Sequence, residues 1–110
     1  MTVELPPLIQ RMIPRLVRSF SPERILLFGS YAKGTKRDSS DIDLLVITSA
    51  EGDGGAHQRR ARQLTSDCFP RVDIVFATPE EVAGAANLRS PFLMSILDTG
   101  ITVYSRGATQ

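Results

Sequence analysis

The amino-acid sequence predicts a single α/β domain, a small β-sheet with flanking helices, and three observations carry that expectation. Four short runs rich in branched apolar residues, 25–28, 41–48, 71–77 and 101–105, alternate with segments in which apolar residues recur at helical spacing. The chain is 110 residues long, enough for one core that buries roughly two thirds of the unfolded surface without a disulfide or structural metal. Its composition, 42% hydrophobic and 23% charged, is that of an ordinary globular protein rather than a disordered or fibrous one. No internal repeat or linker interrupts it, so residues 1–110 are read as one domain.

The first element is an amphipathic helix. Leu8, Ile9, Met12, Ile13, Leu16, Val17 and Phe20 share one face, with Gln10, Arg11, Arg15 and Arg18 between them. Pro14 lacks a backbone donor inside that pattern, and a kink or split is expected near Ile13. Ser21 and Pro22 end the helix, residues 25–28 form a buried strand, and Gly29 stops it. Residues 29–40 are small, basic and polar; residues 41–48, DIDLLVIT, are the second strand. Three glycines between 49 and 56 suggest a mobile loop, followed by a polar, basic helix over 57–67.

The third strand is RVDIVFA, residues 71–77. Thr78, Pro79, Glu80 and Glu81 then spell a helix start: a capping hydroxyl, proline in the first turn, and acids at the positive end of the helix dipole. Ser90 and Pro91 repeat the signal for a helix reaching Asp98, Gly100 ends it, and Ile101–Ser105 is the last strand.

Several classes of function are disfavoured at this stage. No apolar run approaches the ~20 residues of a membrane span, and the N-terminal residues lack the pattern of a signal peptide, so a cytoplasmic location is expected. The single cysteine, Cys68, offers no internal disulfide and is read as a small core residue. A net charge of +1 gives no indication of a nucleic-acid partner.

The chemistry concentrates in residues 29–43, GSYAKGTKRDSSDID. Gly29 directly after a strand allows a tight turn and close backbone approach to a ligand, Ser30 adds a hydroxyl, and Gly34 closes the loop. Together they describe a phosphate cradle, although taken alone a glycine-serine turn is more often a plain strand-to-helix corner; neither the P-loop nor the dinucleotide fingerprint is present. Lys33 and Lys36, with Arg37, are positioned for phosphate contact or for a solvated loop face. Ser39, Ser40 and Tyr31 are read as turn and packing residues. Asp41 and Asp43 stand two apart on a strand and so share a face. Their mutual repulsion would be relieved by a divalent cation, and hard oxygen ligands suit magnesium or manganese. Asp73 offers a third carboxylate if its strand lies alongside. The competing account is that these acids solvate strand ends or pair with arginines.

Elsewhere the functional signals are weaker. His57 has no neighbouring metal ligand and is expected at the surface. Arg59, Arg60 and Arg62 form a solvated helix face or meet an acidic partner or nucleic acid. Phe92, Leu93, Ile96 and Leu97 have core spacing, or form an exposed docking face.

The joint pattern is more specific than its parts. Glycine-serine, then Asp-Ile-Asp opening an apolar strand, then a later Asp-Ile-Val strand resembles the signature of the DNA polymerase beta-like nucleotidyltransferase superfamily. The short chain and GSYAKG are similar to its minimal nucleotidyltransferase (MNT) group; the motifs span residues 25–76. The resemblance implies a mixed sheet, classed as α/β or α+β. It implies that Gly29 and Ser30 hold the triphosphate of ATP and that Asp41 and Asp43 bind two Mg2+ ions. Asp73 would ligate the catalytic ion and help deprotonate the acceptor. No signature carboxylate is missing, so an active enzyme is expected.

In that group the usual partner is a HEPN-domain ribonuclease toxin, and the implied function is antitoxin: transfer of AMP to a hydroxyl, of tyrosine, on the toxin. The chain carries no additional acceptor-gripping domain, so the acceptor is expected to bring its own binding surface, and a homo- or hetero-oligomer follows. Two rival functions stay open, a non-catalytic antitoxin acting by complex formation and a small-molecule nucleotidyltransferase of the aminoglycoside-modifying kind.

Overall fold

The structure, a computed structural model, describes residues 7–29, 41–49, 54–68, 71–84 and 91–107. In chain order the elements are α1 (Pro7–Phe20), β1 (Arg24–Phe28), β2 (Ile42–Ile47), α2 (Gly54–Thr65), β3 (Val72–Ala77), α3 (Pro79–Ala83), α4 (Pro91–Thr99) and β4 (Ile101–Ser105). The strands form a four-stranded sheet in the order β3-β2-β1-β4. β1 is antiparallel to both β2 and β4, while β2 and β3 are parallel, so the sheet is mixed. A parallel pair needs a crossover, and α2 lies within it.

Alternation along the strands sorts the core into two layers. Ile42, Leu44 and Val46 of β2 join Ile25 and Leu27 of β1 on the face covered by α1, where Ile9, Met12, Leu16 and Phe20 are buried. Leu45 and Ile47, with Leu26, face the other way against Leu93 and Ile96 of α4. Position 43 falls on this second face, which places a carboxylate where the apolar sequence of the strand breaks off.

The helix α1 runs unbroken through Pro14, contrary to the expected split. A proline inside a helix costs about 3 kcal/mol. Burial of Ile9 and Met12 on one side and of Leu16 and Phe20 on the other contributes about 1.5–3 kcal/mol per side chain, so packing on both flanks holds the helix together. It ends where Ser21 takes a positive φ of 45° and donates its N–H to the Val17 carbonyl at 3.0 Å. The buried Thr48 hydroxyl then donates to the Phe20 carbonyl at 2.8 Å, Glu23 N donates to Ile47 O at 2.7 Å, and Arg106 reaches the Ser21 carbonyl.

Two further expectations are corrected. α2 begins at Gly54 and ends at Thr65, so residues 54–56, read as loop, are helical; residues 50–53 lie outside the described part. His57 is not a free surface histidine: its ring stacks on Phe76 at 5.1 Å and meets the Phe20 edge at 5.2 Å. The start of α3 follows the sequence signal. Thr78 N donates to Glu81 Oε1 at 2.8 Å and Glu81 N donates to Thr78 Oγ1 at 3.0 Å, a complete capping box with Pro79 in the first turn. Cys68 is half-buried at the rim of the first layer; burial, with the nearby Asp67, pushes its thiol pKa up.

Candidate active site

The rim formed by the end of β1 and the starts of β2 and β3 gathers the acids. Phe28 stands opposite Asp43 across the antiparallel pair, and Asp43 stands opposite Asp73 across the parallel pair. Side chains opposite one another on adjacent strands share a face with Cβ atoms roughly 4.5–5.5 Å apart. Asp41 is exposed and immediately precedes β2 rather than lying within it, since the strand starts at Ile42. Ile42 N donates to the Arg71 carbonyl at 2.8 Å, which fixes the alignment of the two acidic strand starts.

Gly29 occupies the corner next to them with φ of 76°, a left-handed conformation that side chains with a Cβ rarely adopt. The constraint is double. A Cβ built on Gly29 would sit inside 3.0 Å of Asp43 Oδ2 and 3.3 Å from Asp43 Cγ, so the carboxylate occupies the space a side chain would need. Asp43 is half-buried, and its carboxyl pKa is raised above 3.8, first by burial and then by the negative charges of Asp73 and Asp41. The three acids are therefore close enough to feel one another.

Asp73 also has a cationic neighbour: Arg71 Nε lies 3.0 Å from Asp73 Oδ1. The arginine pairing weighed as the competing account thus holds for Asp73, whereas the charges that act on Asp43 among the described residues are those of Asp73 and Asp41. Among the described residues no three His, Cys, Asp or Glu side chains are gathered tightly enough to hold an ion as they stand. The donor set nonetheless fits a hard divalent cation. It offers carboxylate oxygens only, aligned by strand register, with a repulsion that a cation would remove. Beyond Asp73, between α2 and the edge strand β3, a cavity of about 420 Å³ opens, lined among others by Arg62, Thr65, Cys68 and Arg71.

Of the residues singled out in the sequence, the structure brings together Gly29, Asp41, Asp43 and Asp73. Ser30, Tyr31, Lys33, Gly34, Lys36, Arg37, Ser39 and Ser40 lie outside the described residues. Two neighbours of the site were missed. Arg71 was readable in principle, because a residue two before Asp73 on a strand shares its face. Phe28 was read only as core, yet it borders Asp43 and touches Phe92 of α4, ring centroids 6.1 Å apart.

Comparison with known proteins places the chain as a whole. Residues 10–109 match the family described as Polymerase beta, Nucleotidyltransferase. The chain belongs to that nucleotidyltransferase family. A curated relative, the Protein adenylyltransferase MntA of Shewanella oneidensis, is 37% identical over 68 residues, 60% of this chain and 49% of the relative. The chain thus spans about half the length of that relative. A crystal structure of a toxin-antitoxin with AMP-PNP is similar at TM-score 0.62 and 27% identity, over 89% of this chain and 74% of that one. A mutant of the toxin-antitoxin MntA-HpeT is similar at TM-score 0.60 and 28% identity, over 94% and 76%. The mixed sheet implied by the sequence motifs is the sheet observed. Among the described residues no helix is long and apolar enough to cross a membrane.

Proposed function

We propose that this chain is an adenylyltransferase acting in the cytoplasm as the antitoxin of a toxin-antitoxin pair. It transfers AMP from ATP to a hydroxyl, of tyrosine, on a HEPN-domain toxin and so silences it. The observation that carries the reading is the alignment of Asp43 with Asp73 across parallel strands, beside a glycine whose missing Cβ makes room for the Asp43 carboxylate. The adenylyltransferase name of the relative and the toxin-antitoxin neighbour with AMP-PNP support nucleotide and partner. The HEPN identity rests on the MNT resemblance.

In this reading the Gly29 corner, with Ser30 and Lys33, receives the triphosphate through close backbone approach. Asp41, Asp43 and Asp73 would hold Mg2+, which supplies neutralisation of the acids and stabilisation of the attacking and leaving oxygens. The acceptor oxygen forms a bond to the α-phosphorus, the bond to the bridging oxygen breaks, and pyrophosphate leaves. Asp73, on the edge strand, takes the hydroxyl proton. Its site faces the cavity beyond β3, from which an acceptor side chain on a partner could enter. The whole of residues 1–110 serves as one minimal catalytic domain, completed by the partner in a hetero-oligomer.

The test uses the protein, its partner toxin, Mg2+ and ATP labelled at the α-phosphate. Label is expected on the toxin, with loss of toxin activity, and Asp43→Asn is expected to abolish labelling while remaining folded. Inhibition without label would replace the enzyme by an antitoxin that acts through complex formation alone.

A further inference from the structure

The rim that carries the acids also carries an aromatic surface with no assigned role. Phe92 is 59% exposed and, with Met94, one of two large apolar side chains so exposed among the described residues. Single exposed apolar residues are common and need no function, so its setting decides the matter. Phe92 lies in the first turn of α4, which Leu93 and Ile96 fasten to the second face of the sheet. Its ring meets Phe28 edge-on at 86°, and Phe28 is both the cross-strand partner of Asp43 and the residue before Gly29. An aromatic face is therefore held against Phe28, the residue that stands opposite Asp43 and precedes the glycine corner.

We propose that Phe92 is the platform on which the nucleobase of the bound nucleotide stacks, with Phe28 as the support that orients its ring. The inference rests on the nucleotide-binding reading of the Gly29 and Asp43 rim. With the triphosphate at the corner, Phe92 is the described aromatic surface exposed beside it, and stacking accepts any base because every base has a π-face. Phe28 is a positioning residue, since its own ring is packed against the core.

The chain contains no tryptophan, so Phe92→Trp introduces a single indole at the proposed platform, excited selectively at wavelengths beyond tyrosine absorption. AMP-PNP with Mg2+ is expected to quench it, and inorganic tripolyphosphate with Mg2+ is not. Equilibrium dialysis supplies an independent measure of binding. Phe92→Ala, truncating a side chain already more than half exposed, is expected to stay folded and to bind AMP-PNP about tenfold more weakly, with tripolyphosphate affinity unchanged. Rescue of AMP-PNP affinity by Phe92→Tyr would support stacking over general packing. AMP-PNP binding at full strength to the alanine variant, or without quenching in the tryptophan variant, overturns the platform and leaves the nucleotide site standing. Absence of binding of both AMP-PNP and tripolyphosphate to the unaltered protein overturns the nucleotide reading and the platform with it.

Discussion

Gly29→Ala is the most informative single change, because its cost has two separable parts. An alanine at φ of 76° pays for a left-handed backbone, about 1–2 kcal/mol. Its Cβ also collides with Asp43 Oδ2, and moving that carboxylate off its preferred rotamer costs about 1 kcal/mol more. The sum, about 2–3 kcal/mol, corresponds to a fall in Tm of about 10 °C for a domain of this size. Asp43→Ala removes the colliding atoms, leaving its Cβ at 3.5 Å, an ordinary contact. Thermal and urea denaturation of the two single variants and the double variant should therefore show about 1 kcal/mol of favourable coupling, with the backbone part of the loss remaining. Strict additivity would mean that the Gly29 and Asp43 contact is not the constraint described. A Gly29→Ala protein as stable as the original would refute the left-handed corner as well.

Further outcomes follow from the acid rim and from the start of α3. The Asp43 carboxyl pKa is raised above 3.8, so the folded protein holds that proton more tightly than the unfolded chain. This contribution favours the fold at low pH and is lost as pH rises from 3.8 through the folded pKa. Asp43→Asn should flatten that part of a Tm-against-pH curve and raise Tm at neutral pH, and added Mg2+ should stabilise the unaltered protein more than this variant. Removing the cap hydroxyl with Thr78→Ala breaks the hydrogen bond from Glu81 N to Thr78 Oγ1, leaves the one from Thr78 N to Glu81 Oε1, and should cost about 1 kcal/mol, read as a lower urea midpoint.

What the sequence disclosed and what it withheld divide along physical lines. Strand and helix identities rest on local periodicity, and the cap at Thr78 on adjacent residues, so both were readable. Pro14 does not split the helix because the local penalty of proline, visible in the sequence, is outweighed by the burial of Met12 and Leu16 against the sheet, a tertiary quantity. His57 misled for the same reason: Phe20 and Phe76, which enclose its ring, lie far from it along the chain. At the site, the spacing put Asp41 and Asp43 on one strand, whereas the strand begins at Ile42, one residue after Asp41. The alignment of Asp43 with Asp73 depends on the parallel register of β2 and β3, which no local pattern encodes. Phe92 shares helical spacing with Leu93 and Ile96, and only the orientation of α4 on the sheet separates an exposed ring from two buried side chains.

The ties among Thr48, Phe20, Ser21, Glu23, Ile47 and Arg106 clasp the end of the sheet away from the acids, stitching together three stretches of chain. Segments far apart along the chain are thereby tethered at the pole opposite Gly29 and Asp43. A break at that pole would free the end of α1 and the chain after β4 together without touching the acidic rim.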